Sequence, residues 1–343
     1  MRLNFSKDIG IDLGTANVLV TIPKLGIVYR EASAIAIDIR KNEVIAVGDK
    51  AKEMIGRTPD YINAIRPLKE GVIADFTATK LMLKEILRKI FRKYNIIRPN
   101  IVVGIPNLIT EVEKRAVEEA LYGSGAKKVL LVEETVASAI GSGIKIEEAK
   151  GKMIVDIGGG TTEIAVLSLG GIVTCESLRV AGDKIDLDII KYIRKHYNVD
   201  IGPNTAENLK QNLGCAMPLM SVKEMEIKGR DLGTGYPIAI EISSDEMEYA
   251  MKKCINQIVD EIKNVLEKTP PEIVSDIVEN GIMVSGGGAL IRDIDKYIIE
   301  RVGVQATVSP KPLEAVVIGT NMIVEKLNNY KNVYEGMRIN EQK

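Results

Sequence analysis

The chain has 343 residues, 45% of them hydrophobic, and its 46 Lys and Arg nearly balance 47 Asp and Glu for a formal net charge of −1. Such a length fits two domains with sizeable cores, and so small a charge leaves no global field to draw the protein to nucleic acid or to anionic lipid. Cys175, Cys215 and Cys254 are odd in number and unclustered, which argues against a disulfide framework or a zinc site and fits a reducing cytoplasm.

At the N-terminus, Met1 to Asp8 has no apolar stretch of the signal-peptide kind, and no apolar run anywhere reaches membrane-spanning length. Strand-like runs then fall at 9–13, 18–22 and 27–29. Residues 31–75 fit no repeated pattern and read as an insertion. Helical spacing follows over about 77–94, strands at 101–105 and 129–132 frame a helix over about 110–122, and a further helix runs over about 135–144. The opening pattern returns at 153–157, 164–169 and 172–175. Residues 183–243 form a second stretch outside the repeat, with helices over about 183–197 and 205–213. A long helix over about 244–267, a strand at 282–285 and a helix over about 312–328 complete the chain. The runs at 101–105, 129–132 and 282–285 are apolar throughout, as strands buried on both faces should be, and several helices start at a Thr, Ser or Asp cap. Alternating strands and helices imply an α/β fold, and the duplication implies two related lobes with a cleft between them.

Each copy of the repeat carries the same device. Asp12-Leu13-Gly14-Thr15 recurs in altered form as Asp156-Ile157-Gly158-Gly159-Gly160-Thr161, the two aspartates 144 positions apart. Glycine lets backbone N–H groups approach a ligand without an intervening Cβ, successive N–H groups form an anion-binding concavity, and Thr adds a hydroxyl. An Asp at the strand end would repel phosphate but can hold the water shell of Mg²⁺. An ordinary hairpin is the plain alternative for either turn alone, yet three adjacent glycines between buried strands cost stability unless close approach is needed. A third glycine-rich strand end, Ser285-Gly286-Gly287-Gly288-Ala289, opens either a simple helix-capping turn or a wall against a flat ring or phosphate. Together the three point to a bound nucleotide.

Asp12 to Asn17, Val103-Gly104-Ile105-Pro106, Val132-Glu133-Glu134, Asp156 to Glu163 and Ser285 to Leu290 occur in the order and spacing of the actin superfamily, and more narrowly the chain resembles the MreB family of bacterial actins over about 5–328. Asp49 to Ala51, Met54 to Pro59, Arg66 to Asp75 and Thr205-Ala206-Glu207 extend the likeness. The resemblance implies an actin-like ATPase fold of two duplicated RNase H-like lobes, each with a smaller inserted subdomain, and ATP or ADP with Mg²⁺ in the cleft. The first lobe would take 1–30, 66–140 and 315–343, with 31–65 inserted; the second would take 141–182 and 244–314, with 183–243 inserted. Gly14, Thr15, Ala16 and Asn17 would form the first phosphate turn, and Gly158, Gly159, Gly160 and Thr161 the second. Asp12 and Asp156 would hold the metal through water, and Gly286, Gly287, Gly288 and Ala289 would border the adenosine. Glu207 and Lys210, one helical turn apart, match the helix that contacts the nucleoside, with an ion pair between them as the plainer reading.

By the same resemblance Glu134 orients the water that attacks the γ-phosphate and Thr161 helps to fix it, while Glu133 points away. A buried capping carboxylate is the alternative for Glu134. Three departures stand out: Thr135 where the family usually has proline, Val18 in place of threonine, and Pro203-Asn204 in place of Glu-Arg. The first changes the residue next to Glu134, and the last falls just before the helix expected to contact the nucleoside.

Two surfaces complete the expectation. The helix over 79–94 sets Lys80, Lys84, Arg88, Lys89, Arg92 and Lys93 around an apolar seam of Leu83, Leu87, Ile90 and Tyr94; this is a solvated basic face, or, by resemblance, the surface that pairs antiparallel protofilaments through Lys84 and Arg88. Ile96 and Ile97 before Pro99 stand where the family has a short membrane-insertion loop, with Arg92, Lys93 and Arg98 adding about 1 kcal/mol each near anionic lipid. Membrane affinity is then expected to be weak per subunit and to come from avidity at the inner face of the cell membrane. Residues 328–343 read as a frayed, mildly basic tail. The function that the resemblance implies is a self-polymerising ATPase that forms filaments governing cell shape. The alternative is a small-molecule kinase on the same ATP clamp, which would need a base beside the acceptor hydroxyl, and 31–75 offers no such aspartate constellation. A chaperone ATPase would carry a long substrate-binding extension, for which little chain remains.

Overall fold

The protein is represented by a computed structural model that describes residues 8–326 together with Ile339 and Asn340. The expectations for the N-terminal segment and for the tail from 328 onward therefore fall almost wholly outside the described residues.

Two central sheets share one topology. In the first, β1 (Ile9–Leu13), β2 (Asn17–Ile22) and β3 (Gly26–Ala32) form an antiparallel meander. The chain then leaves the sheet for a small layer of β4 (Ile35–Asp38), β5 (Glu43–Val47), helix α1 (Asp49–Met54) and β6 (Ile62–Ile65), in sheet order β5-β4-β6. It returns through the short ribbon β7 (Leu68–Lys69) and β8 (Val72–Ile73). Helix α2 (Phe76–Tyr94), β9 (Asn100–Ile105), α3 (Glu111–Gly123), β10 (Lys128–Glu133) and α4 (Glu134–Gly141) follow, with β9 and β10 adding parallel to β1.

The second sheet repeats the order with β11 (Lys152–Ile157), β12 (Thr162–Ser168) and β13 (Gly171–Leu178) as its meander. Its excursion holds α5 (Gly182–Tyr197), β14 (Val199–Asp200), α6 (Pro203–Leu213), β15 (Glu224–Asp231) and β16 (Pro237–Ser243). Then come α7 (Ser244–Lys268), α8 (Pro271–Asn280), β17 (Ile282–Ser285), a 3₁₀ turn over Gly287–Leu290, α9 (Ile294–Val302), β18 (Ala306–Val308), α10 (Ala315–Glu325) and β19 (Ile339–Asn340). Orders β3-β2-β1-β9-β10 and β13-β12-β11-β17-β18 are the same RNase H-like arrangement twice, with β19 added antiparallel to β10.

Burial explains why the strands are so apolar. Ile154, Val155 and Ile157 are fully buried because each sheet is covered on both faces. One core lies beneath α2 and α3, including Met82, Leu83, Ile86 and Leu87; a second lies beneath α5, α7 and α9. A third core joins the two sheets through α4 and α10, built from Val136, Ala137, Ile140, Val316 and Ile323 together with Val102 and Ile154. The two helices touch backbone to backbone, since a Cβ on Gly141 would strike the Ala315 carbonyl and one on Gly319 the Ala137 carbonyl. Reciprocal capping boxes start α3 at Thr110 with Glu113 and α7 at Ser243 with Glu246.

Three expectations need correction. The last helix spans Ala315–Glu325 rather than 312–328, because residues 311–314 form a turn. The glycines after β17 open only a 3₁₀ turn, and the α-helix waits until Ile294. Both excursions also hold strands beyond those expected, among them β15, in which exposed and inward residues alternate.

Candidate functional site

The carboxyl ends of the central strands of both sheets face one cavity of about 600 Å³, the position where α/β sheets commonly take ligands. Asp12 and Asp156 occupy matching places: each pairs into its meander, with Leu19 and Glu163 respectively, and onto a parallel neighbour, at Gly104 and Ser285. Between them come the two glycine turns, which abut. A Cβ on Gly159 would lie 2.8 Å from the Ala16 Cβ, and one on Gly160 only 2.7 Å from Thr15 Oγ1. The Gly158 N–H donates to the Thr161 carbonyl at 2.9 Å and closes the second turn. Thr15 Oγ1 accepts from the Gly71 N–H at 3.1 Å, which leaves its proton for a ligand oxygen.

Asp12, Asp156 and Glu134 line the floor, and a fourth carboxylate, Glu163, stands opposite Asp156 without lining the cavity. Burial, and then the charge of Asp156, pushes Asp12 up to about 7. Burial also raises Asp156, against hydrogen bonds from Ser138 and Ser285; Ser138 Oγ donates to Asp156 Oδ2 at 2.6 Å. Glu134 opens α4 and is held well above the carboxylate range by burial, then by Asp12, Glu163 and Asp156. Its Cγ passes close to the bare Gly104 backbone, where a Cβ would come within 3.4 Å. Glu163 is likewise raised by burial, with Ser177 and the Asn107 N–H pulling it back. Negative charge of this density, next to N–H groups and hydroxyls, suits a divalent cation bound with its water shell. Among the described residues no three His, Cys, Asp or Glu converge as direct metal ligands.

The far end of the cavity is built by the two excursions. Glu207 and Lys210 both line it, but they do not pair with each other. Glu207 Oε2 meets Lys52 Nζ at 2.7 Å and Arg66 Nη2 at 3.7 Å, whereas Lys210 Nζ lies 2.8 Å from Asp186 Oδ1 and donates to the Gly182 carbonyl at 3.0 Å. Arg66 Nη1 also reaches Asp183 at 3.2 Å. On the opposite side Gly286, Gly287 and Gly288 line the cavity with Leu290, Pro312 and Leu313.

Gly14, Thr15, Ala16, Asn17, Gly158, Gly159, Gly160 and Thr161 all come together here with Asp12, Asp156 and Glu134. Ala289 does not: it is buried in the core of the second sheet, because the 3₁₀ turn directs Leu290 to the cleft instead. Glu133 stays off the cavity wall. Away from the cleft, Ile96 and Ile97 part company. Ile96 is buried in the core beneath α2, while Ile97 is 72% exposed, so the expected apolar pair is a single protruding side chain. Lys84 and Arg88 lie on the solvent face of α2, and Arg88 pairs with Glu85 at 2.7 Å. Among the described residues no helix is long and apolar enough to cross a membrane. Sequence reasoning missed Lys52, Arg66, Ser138, Asp183 and Asp186; Arg66 and Asp183 begin recognisable segments, but nothing local ties them to a cleft.

Comparison with known proteins agrees with this geometry. The profile of the family described as MreB/Mbl protein matches residues 6–332. Cell shape-determining protein Mbl of Bacillus subtilis is 44% identical over 324 residues, which cover 94% of this chain and 97% of that protein. Cell shape-determining protein MreB of Escherichia coli K12 is 43% identical over 330 residues, covering 94% and 95%. Among solved structures, MreB5 of Spiroplasma citri bound to ADP superposes with a TM-score of 0.90 at 39% identity, covering 96% of this chain and 98% of that one. A MamK double helical filament shares the fold at a TM-score of 0.78 and 21% identity, covering 92% and 98%.

Proposed function

The chain belongs to the MreB/Mbl family, and from that premise we propose that it is a bacterial actin that binds ATP with Mg²⁺, hydrolyses it slowly, and polymerises into membrane-associated filaments that govern cell shape. The observation that carries the nucleotide part is the abutment of two glycine turns beneath Asp12, Asp156 and Glu134 in one cavity. The S. citri relative bound to ADP, and the same protein bound to AMPPNP, add support.

In this reading the N–H groups of Gly14 to Asn17 cradle one side of the polyphosphate and those of Gly158 to Thr161 the other. Asp12 and Asp156 would hold a hydrated Mg²⁺, which would supply charge neutralisation to the phosphates. Glu134 orients the attacking water and the Thr161 hydroxyl helps to hold it, so rate comes from positioning. The raised affinity of Glu134 for a proton equips it to accept one as the water attacks. Gly286 to Gly288, with Leu290 and Leu313, border the base, while Glu207 and Lys210 frame the ribose end. The large subdomains are taken as 1–30, 66–140 and 315–343, and as 141–182 and 244–314, with 31–65 and 183–243 as the inserted ones. Subunits add head to tail, an open heterologous contact that grows filaments. Lys84 and Arg88 face a second protofilament, and Ile97 with Arg92, Lys93 and Arg98 meets anionic lipid at the inner face of the membrane.

Electron microscopy and phosphate release with ATP, ADP and a non-hydrolysable analogue, with Glu134→Ala alongside, test this. Filaments that depend on nucleotide, and phosphate release lost in Glu134→Ala, are expected. Phosphoryl transfer to a small-molecule acceptor without filaments would replace this function with a kinase.

A further inference from the structure

Helix α4 starts at Glu134 with no side-chain cap, since its N-cap is Glu133 and Glu133 makes no capping hydrogen bond. How the first turn is anchored therefore decides where the Glu134 carboxylate points. The anchor is the next residue. Thr135 is fully buried, and its Oγ1 donates to Asn107 Oδ1 at 2.9 Å. Asn107 follows β9, and its backbone N–H donates to Glu163 Oε2 at 3.3 Å. Glu163 Oε1 accepts from Ser177 Oγ at 2.7 Å, across the β12–β13 pair in which the two residues stand opposite each other.

These bonds do more than satisfy buried groups. Asn107 belongs to the first sheet's side of the molecule, Glu163 and Ser177 to the second's, and Glu163 stands directly opposite Asp156 in the β11–β12 register. A rotation of one sheet against the other moves Glu163 relative to Asn107 and so pulls on Thr135, one residue from Glu134. Thr135, Asn107 and Glu163 do not line the cavity, so none is placed to bind nucleotide. The Thr135 hydroxyl bonds an amide that is itself one hydrogen bond from the opposite lobe, which makes the carboxylate's pose depend on the lobe angle.

We propose that Thr135 is a positioning residue for Glu134, fixing its carboxylate through the hydrogen-bonded series Thr135–Asn107–Glu163 and transmitting to it the relative rotation of the two lobes. The inference rests on the reading of Glu134 as the group that orients the water. It predicts an effect on turnover with little effect on nucleotide binding, because small misplacement of a positioned group is costly to rate. A purely structural role predicts lower stability, with turnover per folded molecule unchanged.

The test is phosphate release by the full-length protein over an ATP titration, with thermal unfolding of each variant. Thr135→Val keeps the shape and removes the hydroxyl; kcat is expected to fall about tenfold or more, with KM within about twofold. Thr135→Ser restores the donor and is expected to recover most of the rate. Ser177→Ala, at the half-buried end of the series, is expected to lower kcat in the same direction, and it decides the matter should Thr135→Val fail to fold. A wild-type kcat in Thr135→Val, or in Ser177→Ala where that variant stands in, overturns the proposal, as does equal impairment of the Val and Ser variants. Absence of hydrolysis in the wild type, or full activity in Glu134→Ala, defeats the assignment of Glu134 itself and is distinguishable from either result.

Discussion

Lys210 turns back to Asp186 rather than to Glu207, its neighbour one helical turn away on α6. The 2.8 Å contact ties α6 to α5, and the same ammonium bonds the Gly182 carbonyl at the start of α5. The ion pair is short, but Asp186 Oδ1 has no well-directed hydrogen bond, so its attraction to Lys210 is mainly Coulombic. Burial outweighs that attraction and pushes Asp186 up to about 6. The folded protein then binds a proton that the unfolded chain, with a carboxylate near 3.8, releases. The stability this group adds is complete below 3.8 and is lost as pH rises through about 6. Denaturant unfolding of the nucleotide-free protein across that range is expected to show a shallower decline with pH in Asp186→Asn. Lys210→Met removes the attraction and is expected to carry the decline to higher pH. An identical pH slope in wild type and Asp186→Asn would refute the assignment.

Lys52 and Glu207 link the two excursions across the open side of the cleft, and Arg66 doubles the link to Glu207 and Asp183. Arg179 and Glu70 make another contact between the halves at 3.3 Å. Each pair is partly exposed and worth about 1 kcal/mol or less, so the effect is kinetic more than thermodynamic. Lys52→Glu is expected to speed release of a fluorescent nucleotide several-fold, and the exchanged pair Lys52→Glu with Glu207→Lys to restore slow release, by stopped flow. Added salt should narrow the difference. Equal release rates in the single variant and the wild type would leave the cross-cleft pairs with no role in gating.

What the chain discloses before folding follows from how many faces each element buries. Strands β11 and β12 carry the unbroken apolar runs Met153–Val155 and Ile164–Leu167 because both faces are covered, and α7 carries its start signal locally in Ser243 and Glu246. Strand β15 gives a weaker signal, a short alternation in which Met225 and Ile227 turn inward between exposed Glu224, Glu226 and Lys228. The glycine turns and their aspartates are readable because phosphate chemistry needs those residue types side by side. Ser138 is not, because its bond to Asp156 joins the middle of a helix to a strand 18 positions later. Lys52, Arg66 and Asp183 stay hidden for the same reason: their meaning lies in partners more than a hundred residues away.

Ile96 and Ile97 show where pattern alone cannot decide. Asn95 takes a left-handed conformation as the C-cap of α2, which sends Ile96 back under the helix and Ile97 outward. Ile97→Ser is expected to reduce co-sedimentation with anionic liposomes while leaving the melting temperature unchanged. Ile96→Ser empties part of the core and buries a hydroxyl, costing about 2–4 kcal/mol and lowering the melting temperature by several degrees. The reverse pattern, with Ile97→Ser stability-impaired and lipid binding intact, would overturn both placements.

Gly160 offers the sharpest test of the clamp. A Cβ there meets Thr15 Oγ1 at 2.7 Å on one side and the Glu70 backbone at 2.8 Å on the other, and the Glu70 backbone has no side-chain rotation by which to yield. Gly160→Ala is therefore expected to push the second turn away from Thr15 and Glu70 or to distort it. Either displaces the N–H groups that the reading assigns to phosphate. Gly202, which caps α6, is the matched control, because a Cβ there meets nothing within 4 Å. Titration with a fluorescent ATP analogue is expected to show affinity down about tenfold or more in Gly160→Ala, a loss of about 1.4 kcal/mol or greater. Gly202→Ala should bind like the wild type. Unaltered affinity in a folded Gly160→Ala variant would mean that the abutment of the turns does not hold the polyphosphate, and the two hairpins would then owe their glycines to packing alone.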